Sequence, residues 1–145
     1  MPSLSEVQDA AFGQFVDNFP VLQPDVGIAF DGVPFEEPTD TAWVKLTLLP
    51  GDEYAASIPA RRRRQHGEFV VQVFSPAGMG ADPALLIADS VLEVMRGVTV
   101  ASVRFRGLRR PERLGTEGRW FQVNVSMPFE TDTITRLFAL MLGVD

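Results

Sequence analysis

The side chains most able to do chemistry sit together: four adjacent arginines, Arg61 to Arg64, and two residues on the chain's single histidine, His66. An arginine run can neutralise nucleic-acid phosphates or grip carboxylates through its planar forks. This run lacks the interleaved aromatics of a single-strand binder, and the chain around it is acidic, with a formal net charge of −6. Three roles therefore compete: a solvated strand edge that discourages stray pairing, a contact with another protein subunit, and a contact with DNA. His66 could act as a general base, but no acid is spaced to orient it, so catalysis is not expected. The carboxylate pairs Glu36-Glu37 and Asp52-Glu53 are sequence neighbours, which on a strand point to opposite faces; neither is expected to hold a metal. Gly78-x-Gly80 could offer free N–H groups to an anion. It lacks the lysine and hydroxyl residue of a nucleotide loop, and Asp82 would repel phosphate, so a tight turn is the better reading. With no cysteine, disulfides, thiolate chemistry and cysteine-built zinc sites are excluded. No cofactor and no enzymatic activity are expected.

These residues need elements to position them. Phe69, Val71 and Val73 alternate with Glu68, Val70, Gln72 and Phe74, the pattern of a central strand, which Ser75-Pro76 stops. Asp82 is placed to cap a helix that begins at Pro83 and runs to Arg96, with Gly97 closing it. Ser3 and Glu6 have capping-box spacing and predict a helix over residues 3–19, ended by Pro20. Residues 20–42 read as an acidic loop around a short strand at Gly27 to Phe30. Trp43 to Leu49 alternates as a strand; Pro50-Gly51-Asp52 signals a turn, and Glu53 to Ile58 could return from it. Val100 to Arg106 alternates again. Gly107 to Gly118, holding Arg109, Arg110 and Arg113, reads as a long connection to the strand Arg119 to Phe129. Ile134, Leu137, Phe138 and Met141 have helical spacing, which, after a Thr131 or Asp132 cap, predicts a short terminal helix over Thr131 to Leu142.

The expected fold is α+β: a largely antiparallel sheet of four to six strands, packed by two main helices and completed by a short C-terminal helix. A chain of 145 residues, 46% hydrophobic and 22% charged, suits one globular domain over residues 1–145. No apolar run approaches the roughly 18 residues of a membrane span, and no secretory leader is evident, so a cytoplasmic protein is expected. Charge is unevenly placed: residues 1–60 hold ten acids and one base, residues 61–145 nine acids and twelve bases. Opposite signs of this kind could draw copies of the chain together.

The order FVVQVFSPAGMG, helix, strand, WFQVNVSMPF, from Arg61 to Phe129, resembles the tail-terminator family of long-tailed phages, with relatives in gene transfer agents. Its motifs are strands and turns, not catalytic residues. The resemblance implies a homo-oligomeric ring, commonly a hexamer, that caps the tail tube, stops its polymerisation and meets a head-completion or connector protein. DNA would only pass through the lumen, no membrane would be involved, and the protein would reside in a virion or phage-like particle after assembly in the bacterial cytoplasm. On that reading Arg61, Arg62, Arg63, Arg64, Arg104, Arg106, Arg109, Arg110 and Arg113 are the candidate contacts to a neighbouring subunit or the tube. Residues 130–145 extend past the usual close of the family's last strand. Two alternatives stand beside it: a head–tail connector or tube subunit, and, from another class, a small-molecule-binding or enzymatic α+β domain.

Overall fold

The computed structural model describes residues 3–55, 62–106 and 111–134. The elements run α1 (Leu4–Leu22), β1 (Gly27–Phe30), β2 (Trp43–Ala55), β3 (Arg62–Pro76), α2 (Asp82–Met95), β4 (Thr99–Val100), β5 (Val103–Phe105), β6 (Glu112–Glu117) and β7 (Trp120–Ile134). The seven strands form one sheet in the order β1-β2-β3-β7-β5-β4, with β6 also on β7. All pairings are antiparallel except β1 with β2, which is parallel. The sheet is thus mixed and larger than the four to six strands expected. The acidic segment 31–42 is a return crossover rather than a hairpin, and that makes the pair parallel.

Both helices cover one face. Alternation puts Val44, Leu46, Phe69, Val71, Val73, Val123, Val125 and Met127 on that face, where they pack with Val7, Phe15 and Phe19 of α1 and Ile87, Val91 and Met95 of α2. The broad apolar surface of α2 follows from its place, since it touches α1, β3 and β7 at once. Ser3 accepts a hydrogen bond from the Glu6 N–H at 3.2 Å, the N-cap its spacing implied.

Several boundaries differ from the expectation. Pro20 lies inside α1, which continues to Leu22. Phe19 is fully buried and stacks on Phe15 at 4.5 Å, so docking holds the last turn against the one hydrogen bond that proline removes. Ala81, not Asp82, caps α2, and no side chain completes that cap. Pro50-Gly51-Asp52 does not reverse the chain: β2 runs on to Ala55 along β3, with a register shift between Pro50 and Glu53. A β-bulge accepts proline and glycine where a regular ladder would not.

Residues 99–105 form a hairpin instead of one strand. Its turn is Ala101 and Ser102, both at positive φ, 49° and 68°. The expected loop 107–118 contains β6, whose register shifts between Arg113 and Gly115. The predicted terminal helix is corrected at its start: Thr131 to Ile134 belong to β7. Thr131 is buried and donates its hydroxyl to the Ser102 carbonyl at 3.0 Å, so it holds the β4–β5 turn rather than capping a helix. The remainder of that predicted helix, 135–145, lies outside the described residues.

Candidate functional site

The helices leave the other sheet face without a covering layer among the described residues. At the end where β2, β3 and β7 begin or finish near Trp43, this face carries a small aromatic cluster. Trp43 stacks on Phe74 at 4.0 Å and meets Trp120 edge-on at 6.0 Å, while Phe35, from the acidic loop, lies 5.1 Å from Trp43. Arg119 sits over the Trp120 ring at 5.5 Å, and its guanidinium is 3.7 Å from Glu37. A shallow hollow of about 690 Å³, walled by Val33, Phe35, Trp43, Lys45 and Arg119, opens beside it. Sequence reading missed this cluster, because Trp43 and Trp120 lie far apart in the chain and only the β2–β3–β7 register brings them together.

The opposite end of the same strands gathers the arginines. Register sets Arg64 opposite Asp132 and His66 opposite Glu130 on β7, and β5 sets Arg104 opposite Glu130 from the other side. The result is a ladder of ion pairs. Arg64 grips Asp132 with two bonds, Nε to Oδ1 at 2.8 Å and Nη2 to Oδ2 at 3.2 Å. Arg104 Nε donates to Glu130 Oε1 at 3.1 Å and its Nη2 lies 3.7 Å from Asp132, while Arg106 reaches Glu130 at 3.3 Å. On the opposite face Arg63 meets Glu53 at 3.5 Å. Much of the basic run therefore ties strands of its own subunit together, a role that only the cross-strand register discloses.

The structure brings together Arg64, Arg104 and Arg106 of the nine arginines expected to make contacts. Arg62 lies on β3, in register with Ile134. Arg113 is exposed on β6, in register with Val123, well along β7 from Glu130. Arg61, Arg109 and Arg110 lie outside the described residues. Arg106 keeps most of its surface in water, with its side chain 71% exposed.

His66 lines two adjoining depressions on this end of the sheet. One, of about 330 Å³, is shared with Arg104, Arg106, Pro128, Phe129 and Glu130. The other, of about 420 Å³, adds Leu49, Pro50, Gly51, Gly67 and Glu68. Neither lining includes a serine, threonine or lysine that His66 could activate. Among the described residues no three His, Asp or Glu side chains gather as a metal site. Gly78 and Gly80 both have positive φ, 89° and 76°, as a tight strand-to-helix turn requires.

The charge map is simpler in space than in sequence. Exposed Glu6, Asp9, Asp17, Asp25, Asp82, Asp89 and Glu93 lie on or beside the two helices, with Arg96 their lone base among the described residues. The described sheet side mixes both signs, with Lys45 and seven arginines among its acids.

With fold and surfaces defined, comparison with known proteins decides the family: the pattern described as "Phage tail terminator protein" matches residues 6–129. The chain belongs to that family. Two solved structures share the fold. One superposes with a TM-score of 0.70 at 19% identity, over 90% of this chain and 96% of its own. The other comes from the virion of a native gene transfer agent particle, with a TM-score of 0.65, 18% identity, and 87% of this chain covered against 94% of that one. No curated protein matches. Membership in the tail terminator family supports a structural role in a phage or phage-like particle. No described helix is long and apolar enough to cross a membrane.

Proposed function

We propose that this tail terminator works as a homo-oligomeric ring, commonly hexameric in its family, that caps the tail tube, stops its polymerisation and presents its far face to a head-completion protein. The observation that carries this reading is the family match over residues 6–129. Capping is physical, and no residue acts as a catalyst or cofactor ligand. Closed rings of more than two copies need two different complementary patches on each subunit. The surface suits that demand: helix layers of like charge repel one another, whereas the sheet side, which mixes both signs and has an uncovered face among the described residues, opposes contact less.

DNA would pass the ring without adhering wherever it meets the acidic helices, since these release no phosphate counterions. The exposed Arg106 and Arg113 are the contact residues best placed on the described surface; Arg61, Arg109 and Arg110 remain proposed contacts as well. The functional location is the head-proximal end of the tail in a virion or phage-like particle.

Electron microscopy and light scattering of the purified protein test this reading. Closed rings of uniform subunit number are expected. Open filaments would assign the chain to the tube, and a monomer at every concentration, in the presence of tube protein, would remove the ring.

A further inference from the structure

We propose that neighbouring copies of the chain join edge to edge, with β6 of one copy pairing antiparallel with β1 of the next. This contact rests on the ring reading and supplies the two different patches that a closed ring needs.

β1 and β6 are the two ends of one row across the sheet. Register runs from Ile28 to Val44, Val44 to Val73, Val73 to Val123 and Val123 to Arg113, so Ile28 and Arg113 lie level on opposite margins. Among the described residues β1 pairs only with β2 and β6 only with β7, which leaves one side of each strand without a ladder. On β1 the open groups can be named. The Gly27 N–H donates to the Ala42 carbonyl at 3.4 Å and the Asp31 N–H to the Leu46 carbonyl at 3.0 Å, so alternate residues from Gly27 onward turn their backbone groups to β2. Ile28 and Phe30, lying between them, turn theirs to the margin. There the Phe30 carbonyl accepts from the Val33 N–H at 3.1 Å, while the Ile28 N–H, the Ile28 carbonyl and the Phe30 N–H have no partner among the described residues. Half-buried backbone groups of this kind are normally paired. Edges meant to stay single carry proline or charge, and β1, Gly-Ile-Ala-Phe, has neither. β6 is open as well, with five of its six residues exposed.

Strand sense selects the pair. β2 runs with β1, β3 against it, β7 with it and β6 against it. Rotation about an axis along the strands preserves each strand's sense, so β6 of one copy meets β1 of its neighbour antiparallel. In that arrangement Ile28 can exchange both its N–H and its carbonyl with a single residue. Charge does not make the choice, since β6 carries Glu112, Arg113 and Glu117 and β1 carries no charge. Four strand spacings, about 19 Å, separate the two margins within one copy, so a short linker between them has to cross to a second copy.

The chain's lack of cysteine permits a direct test. Asp25, just before β1, and Thr116, on β6, are both exposed and come side by side in this pairing. In a chain carrying Asp25→Cys and Thr116→Cys, mixed with tube protein, a short bis-maleimide should link copies into a ladder on a denaturing gel that ends at the ring number. Each single variant should stay monomeric on the gel, and so should a control with Thr116→Cys and Asp89→Cys, whose second cysteine lies on α2. Light scattering on the same samples separates this contact from the ring itself. A uniform ring without a ladder, dimers from either single variant, or an equal ladder from the control overturns the edge pairing and leaves the ring. A monomer at every concentration overturns both.

Discussion

Replacing Phe69 with alanine should cost about 3–5 kcal/mol, the range for deleting a fully buried phenylalanine when neighbours cannot collapse into the space. Phe69 is 0% exposed and meets Phe12 at 5.7 Å, Phe15 at 6.1 Å and Phe105 at 6.3 Å. Two of those partners belong to α1 and the third to β5, so one side chain joins the helix layer to the central strand and to a sheet edge. For a domain of this size the loss corresponds to a fall in Tm of about 10–15 °C. Urea titration provides the check, with the midpoint lowered and the slope unchanged. A loss below about 1 kcal/mol would show that α1 does not dock on β3 through this ring.

The second large effect comes from adding one methyl group. At Gly67 a Cβ would overlap the Leu49 carbonyl oxygen and lie 2.9 Å from two atoms of the Phe129 ring. The nearest obstacle is main chain, which moves only if β2 moves, so Gly67→Ala should destabilise by about 3 kcal/mol, the upper range for overpacking. Trimming the ring with Phe129→Leu in the same chain should recover little, because the closer clash remains. The same exchange at Gly13 has the opposite sign. There the methyl group meets nothing within 4 Å, on a helix, and should stabilise by up to about 1 kcal/mol. Thermal melts of the two alanine variants side by side would expose any error in the packing around Gly67: equal shifts would contradict it.

Physical reasons also explain what was legible before the fold was known. The period of β3 and β7 stood out because each buries one face against helices and leaves the other partly wet. The broad apolar surface of α2 likewise announced contacts on two sides. Proline and glycine misled wherever tertiary contacts outweigh local preference: Pro20 stays helical because Phe19 is anchored, and Pro50-Gly51 bulges because β3 continues to pair beyond it. Thr131 read as a cap from its neighbours in sequence, yet its hydroxyl serves a turn twenty-nine residues away.

The order of its residues alone made this chain α+β and without cysteine chemistry, with a phage-tail pattern written in strands and turns. Those properties depend on periodicity and composition, which are local. Which arginines are tied within their own subunit was decided only in three dimensions, because Arg64 and Arg104 meet Asp132 and Glu130 across strands far apart in the chain. The acidic helix layer and the aromatic cluster around Trp43 arise in the same way: charge and shape at a surface belong to residues that folding makes neighbours.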